Sequence, residues 1–418
     1  MIHNRSLTTL IFCATLLLTN RWLTYSEGID ILKASDTRSY MTIAQAAPHF
    51  PALAPDALLP TNHAVRFVVP YLVGVCSHAI GIPCEQGFLA ATLCFFSLIV
   101  WTTHRILQHL QLTDSQYMLA MALLIFNPYM FRYYLAVPAM VNDLVFVAGL
   151  GYILLGLVQG SQQGGFSTVV VGSLIAVLGR QNMLVILPAL AVWLIRGTQW
   201  QSDTLTKPLL RSTLLIASVI ALYVVLERSI VSFSVRGMES GALTGFIRWI
   251  IEPSEHNKVL VLAEYSLRLI ICPLMLIAFL IAITLHLRLQ GLPLQIIASQ
   301  TPKEFWFSLL IAASLFGFAF LGGPSLFMTG VTRYVSHALP AVLVGFSIAL
   351  RHYHLFTHAS PSSLFGLGTL IALGSFHHMT TFSGTNSDKA SYFAFIYCIL
   401  AIFAGVFAFR ALRSVPEL

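Results

Sequence analysis

The chain has 418 residues, 57% apolar and only 9% charged, with a formal charge of +7 and a mean hydropathy of +0.81. Soluble proteins carry about 25% charged residues, so this composition excludes a water-soluble globular protein. The apolar runs approach bilayer-span length, which excludes a β-barrel alternating over about ten residues per strand. The basic excess shows neither a Lys/Arg cluster nor basic–aromatic alternation, so it points to anionic lipid rather than nucleic acid.

The first apolar run, Leu7–Leu18, is followed by Thr19-Asn20-Arg21-Trp22 instead of a small-residue cleavage site. It predicts a retained span over 7–25. Further spans are predicted near 88–107, 116–131, 140–158, 166–179, 183–196, 209–226, 264–285, 305–321, 334–350, 363–379 and 391–409. The expected fold is therefore all-α, with about 12 transmembrane helices in a single polytopic domain, 1–418. Two loops are long, 26–87 and 227–263, and the apolar stretch 64–82 in the first is expected to lie on the membrane surface rather than cross it.

Charge distribution orients this scheme. With the N-terminus cytoplasmic, Arg5, Arg105, Arg196, Lys207, Arg211, Arg288, Lys303, Arg351, Arg410 and Arg413 fall inside, whereas short outer loops hold only Arg132, Arg180, Arg333 and Lys389. That asymmetry fits the positive-inside rule, which governs short loops and not long ones. Both termini are then cytoplasmic, in a cell (inner) membrane. Most acids, including Asp36, Asp143, Glu252 and Glu255, fall outside. Acids do not set topology, so their bias places the chemistry on the extracytoplasmic face. The inner loops are short and hold no phosphate-cradling Gly-rich motif, which argues against a cytosolic nucleotide site.

Asp36 stands in the polar stretch Ser35-Asp36-Thr37-Arg38-Ser39-Tyr40 of the first long loop. It reads either as a helix N-terminal acid before the pattern Tyr40, Ile43, Ala44, Ala47, or as a base for an acceptor hydroxyl. In a polar loop, removing its charge should cost little folding energy. His63 and Arg66 follow in the same loop. Residues 127–143 join two spans and carry Arg132, Tyr133, Tyr134 and, at the start of the next span, Asn142-Asp143. An acid there is costly unless paired or wetted, which makes Asp143 a functional candidate beside its capping alternative. Arg180 occupies a very short turn, and Arg333-Tyr334 opens a span with His337 one turn on. Each arginine alone reads as a membrane snorkel; several converging would form a phosphate site, with Arg333 a bidentate ligand. Glu264 and Arg268, at i and i+4, read as a structural ion pair. Cys76 and Cys84 are spaced for a loop disulfide, and no cysteine or histidine group has metal-ligand spacing.

This order of residues resembles the GT-C superfamily of integral-membrane glycosyltransferases, which take sugars from polyprenyl phosphates, and its small bacterial members in particular. The resemblance is one of pattern over most of the chain. It implies juxtamembrane helices in the first extracytoplasmic loop, Asp36 as the loop acid, and Asp143 as the second acid. It further implies Arg38, His63, Arg66, Arg132, Tyr133, Arg180, Arg333, Tyr334 and His337 around the lipid phosphate and sugar. The partners implied are a polyprenyl-phosphate-linked sugar, a glycan, lipid or protein acceptor, and the bilayer. Where the family has a DxD pair this chain has a lone Asp143, which weakens the case for a bound divalent cation; no cofactor is certain, and a divalent cation is the one left open. Two other classes compete. An O-antigen-type polymerase or ligase would rely on Arg236, Arg248 and His256 in the late loop. A lipid or sugar transporter would show matching halves, which the sequence lacks.

Overall fold

The computed structural model describes residues 2–27, 35–52, 59–160, 164–197, 206–235, 242–252, 257–327, 330–357, 359–375 and 387–413. They are overwhelmingly helical. In chain order come α1 (Ile2–Glu27), α2 (Ser35–Ala46), the two-residue strand β1 (Leu59–Pro60), α3 (Thr61–Ala64), α4 (Val68–Ile80), α5 (Cys84–His109), α6 (Asp114–Ile125), α7 (Arg132–Ala136) and α8 (Val141–Gln159). There follow α9 (Gly165–Gly179), α10 (Met183–Gly197), α11 (Thr206–Ser229), β2 (Ser234–Val235), α12 (Ala242–Ile251), α13 (Lys258–Ile271) and α14 (Leu274–Leu289). The last are α15 (Leu294–Gln300), α16 (Lys303–Phe327), α17 (Val331–Ser336), α18 (Leu339–His352), α19 (Pro361–Gly374) and α20 (Ser387–Arg413).

A helix stands in every stretch expected to span, yet not every helix is long enough. Among the described residues five are long and apolar enough to cross a membrane: Cys84–His109, Pro138–Gln159, Thr206–Ser229, Lys303–Pro324 and Phe395–Arg413. They become six when α13 and α14, bent by 74°, count as one broken span. The chain is a membrane-embedded helical protein. The expected count of twelve exceeds what these lengths support, because several stretches break. α6 has 12 residues and stops before Asn127-Pro128, and at 1.5 Å per residue reaches only about 18 Å of a core about 30 Å thick. The stretch 64–82 forms the 13-residue α4, also too short to cross.

Burial identifies the central helix. In the apolar 18-residue window of the span Pro138–Gln159, 89% of residues are buried, against 22–39% in the corresponding windows of the other four. α8 packs on α5, α9 and α18. Its seam with α9 runs on glycines: a Cβ at Gly149 would lie 2.5 Å from Gly172 O, so the two backbones touch, the small-residue contact typical of membrane helices. Helices such as α11 instead present Leu209, Leu210, Leu214 and Val225 outward, as lipid contact demands.

The first loop is tied down by two contacts. α2 lies on α4, so close at Gly74 that a Cβ there would meet Ala44 O at 2.1 Å. β1 pairs in parallel with β2, Leu59 opposite Ser234, linking the two long loops. The cysteines are all free, Cys76 exposed and Cys84 buried, so the loop disulfide that their spacing allows does not form. Arg268 donates to Glu264 at 2.7 Å, the expected surface pair.

Candidate active site

α2 begins at Ser35 and places Asp36 in its first turn, where the helix dipole favours a carboxylate. The helical period puts Ser39 and Tyr40, three and four residues on, over the same face. Arg38, two residues on, turns the other way and is exposed. Asp36 is 13% exposed, and its Oδ1 lies 3.1 Å from His63 Nε2 while its Oδ2 accepts from Arg333 Nη2 at 3.0 Å. The other ring nitrogen of His63, Nδ1, bonds to Ser39 Oγ at 3.0 Å.

Arg333, on α17, bridges to the second acid: its Nε is 3.4 Å from Asp143 Oδ2. Asp143, at the buried start of α8, also accepts from Arg180 Nε through Oδ1 and from the Tyr134 hydroxyl at 3.2 Å. His337 Nε2 lies 3.7 Å from the same carboxylate, with its ring against Phe146. Tyr334 lies under both guanidiniums, its ring centre 4.9 Å from Arg180 Cζ and 5.4 Å from Arg333 Cζ. Arg66 completes the group from the first loop. It is 6% exposed and donates to Tyr40 Oη at 3.1 Å and to Gln181 Oε1 at 3.1 Å, both neutral acceptors.

Residues from α2, the loop after α3, α8, the α9–α10 turn and α17 thus meet at one end of the central helix. Electrostatics hold Asp36 ionised. Its burial works against the charge, but Arg333 first and then His63 and Arg66 outweigh it, keeping the carboxyl well below the ordinary range. Three arginines face two carboxylates, so counted over these five groups the site carries one surplus positive charge. Arg180 is fully buried, and its Nη1 and Nη2 have no hydrogen-bond partner. Buried donors are ordinarily satisfied; a guanidinium with two spare nitrogens in a cation-rich group is suited to an anion.

Compared with models of known protein families, with curated proteins and with solved structures, the chain matches none.

Of the residues expected from sequence, the structure gathers Asp36, Asp143, His63, Arg66, Arg180, Arg333, Tyr334 and His337. Tyr133 is buried beside them, its ring edge-on to Tyr134. Two are placed elsewhere. Arg132 turns to the opposite flank of α7, where Nε donates to Ser375 Oγ at 2.7 Å and Nη2 to Thr19 Oγ1 at 2.9 Å, so it serves α1 and α19 and not the acids. Arg38 stays at the surface. Arg333 turns Nε and Nη2, the edge that would grip a phosphate, toward the carboxylates of Asp143 and Asp36. Ser39, Tyr40 and Gln181 were missed. The i+3 and i+4 spacing from Asp36 could have found the first two; nothing in the sequence singles out Gln181. Of the late-loop residues a polymerase would use, Arg248 is exposed on α12 beside Glu252, and Arg236 and His256 lie outside the described residues. Among the described residues, no group of three or more His, Cys, Asp or Glu could hold a metal ion.

Proposed function

We propose that this protein is a membrane glycosyltransferase of GT-C type. It moves a sugar from a polyprenyl-phosphate donor to a hydroxyl of a cell-envelope glycan, lipid or protein on the extracytoplasmic face. The observation that carries the reading is the buried group of two carboxylates and three arginines, with Arg180 holding two spare donors. Transfer from a lipid phosphate needs both elements in one place. A carboxylate must take the acceptor's proton, and cations must steady the phosphate as it departs.

In this reading the acceptor oxygen attacks the anomeric carbon and its proton passes to Asp36, a general base. The bond between that carbon and the phosphate oxygen breaks, and its electron pair stays on the phosphate. Arg66 and Arg180 stabilise the developing charge in a site shielded from bulk water, where fixed donors count most. A phosphodiester donor carries one negative charge and balances the surplus cation; a diphosphate donor, as a polymerase would use, brings more anion than the group offsets. Asp143 holds Arg180 and Arg333 in place. A single displacement inverts the anomeric centre.

The test is mass analysis of cell-surface glycans in a strain lacking the gene, complemented with the wild type or with Asp36→Asn. Loss of a sugar that the wild type restores and Asp36→Asn does not is the expected result. Full restoration by Asp36→Asn overturns the assignment and favours a polymerase, whose chemistry would not use the loop acid.

A further inference from the structure

His63 and Arg333, both partners of Asp36, are not equally fixed. His63 belongs to the same local unit as its acid: Ser39 holds its Nδ1 at 3.0 Å, and its ring lies 5.9 Å from that of Tyr40, both on α2. Arg333 is divided. Its Nη2 is 3.0 Å from Asp36 Oδ2 and its Nε 3.4 Å from Asp143 Oδ2, so on leaving Asp36 it keeps a carboxylate partner. It also sits on the six-residue α17, a short piece that follows the break in α16 at Gly323, φ 66°. Arg333 is the contact of Asp36 that can give way.

We propose that Arg333 masks Asp36 in the resting protein, and that a donor phosphate docking between Arg66 and Arg180 draws Arg333 off Asp36 and frees it as the base. The inference rests on the transferase reading above. A phosphate offers several strong acceptor oxygens to a planar guanidinium, and its arrival converts a group with surplus cation into one with none. Arg333 then has three anions within its reach instead of two. Among the described residues, the titratable groups still facing Asp36 include His63, Arg66, Tyr40, Tyr133 and Tyr334. With its strongest cation gone, burial draws the carboxyl toward ordinary basicity, as a working base requires. The base is active only when a donor is present, and no hydroxyl is activated in an empty site.

Hydrophobic carbodiimide, which attacks protonated carboxyls, reads this directly. The full-length protein in lipid nanodiscs at pH 7 is treated with dicyclohexylcarbodiimide, with and without decyl phosphate in the form of its methyl diester, which carries one negative charge as the donor does. Modification of Asp36 is quantified by peptide mass, with exposed Glu264 as the internal reference. The expected result is a rise at Asp36 of about tenfold on adding decyl phosphate, equivalent to about 1.4 kcal/mol between the two protonation states, with Glu264 unchanged. Arg333→Gln and Arg333→Lys should show raised modification without decyl phosphate and little further rise. Calorimetry measures binding of the same probe separately. If decyl phosphate binds the wild type and Asp36 modification stays level or falls, masking is overturned and the phosphate site stands. If it does not bind, or binds equally well to Arg66→Gln/Arg180→Gln, the phosphate site falls and masking with it.

Discussion

Asp143→Asn is the substitution whose cost the structure defines best. The asparagine keeps the shape and removes the charge. Arg180, fully buried, then loses the one carboxylate it reaches among the described residues, and Arg333 keeps only Asp36. Breaking a buried pair by removing one partner costs about 3–5 kcal/mol, because the remaining charge stays uncompensated. Unfolding entropy is about 2.1 cal/mol/K per residue, so for a chain of this length about 4 kcal/mol lowers the unfolding temperature by roughly 4–5 °C. Arg180→Gln should cost less, about 1–3 kcal/mol, since Asp143 retains Arg333 and the Tyr134 hydroxyl. The double variant buries neither charge of the pair and should fall short of the summed costs by about 2 kcal/mol. Thermal unfolding in nanodiscs, followed by reaction of a fluorogenic maleimide with buried Cys272, measures all three. An Asp143→Asn protein within about 0.5 kcal/mol of wild type, or a strictly additive double variant, would refute the ion-pair account.

Four further outcomes are expected. Asp36→Asn lowers transfer at least about 100-fold and also lowers stability, by less than Asp143→Asn. Its folded-state pKa lies below the ordinary value, so its own contribution is complete above about pH 4 and fades as pH falls below that; the stability gap between wild type and Asp36→Asn should close in acid. Arg333→Lys loses the planar fork shared by two carboxylates and should cost about 2–4 kcal/mol in kcat/KM; unchanged kcat and KM would make Arg333 a mere anchor. Gly74→Ala has no room against Ala44 O, pushes α2 and its acid aside, and should lower kcat more than about tenfold while the protein stays folded by size-exclusion chromatography. Single cysteines at Gly160 and Gly291 should resist impermeant maleimide in intact cells and label after permeabilisation; labelling of both in intact cells would reverse the proposed orientation.

The membrane class, the helical content and most helix positions were legible because composition and apolar run length report solvent directly. Breaks were harder to read. The stretch 116–131 looks continuous in hydropathy, yet α6 ends at Ile125, because Asn127-Pro128 cannot continue a helix and buried Asn127 instead caps Tyr129 and reaches Cys272 O. For the site, adjacency misled twice. Arg38 shares a polar stretch with Asp36 but not its helix face, and Arg132 stands near the acids in sequence while α7 turns it toward Thr19 and Ser375. The low folding cost that a polar loop suggests for Asp36 becomes a larger expected one once its surroundings are known, since the acid is largely covered and ion-paired. What the sequence could not reveal is which cation meets which acid. That depends on contacts between helices far apart in the chain, for which local pattern carries no signal.

The sharing of Arg333 between two acids has a consequence for synthesis. The Asp143–Arg180 pair spans 37 residues and can close as soon as the α8–α9 hairpin has emerged. Asp36 waits for a partner 297 residues later, which at about 5–20 residues per second takes roughly 15–60 s. Throughout that interval Asp36 has His63 of its own loop beside it but not the guanidinium of Arg333, and Arg66, drawn from the same loop, must find Gln181 before any anion is bound. A polypeptide released before residue 333 therefore holds Asp143 already paired with Arg180, while Asp36 still lacks its guanidinium. That difference between the two acids would mark it out from the finished protein.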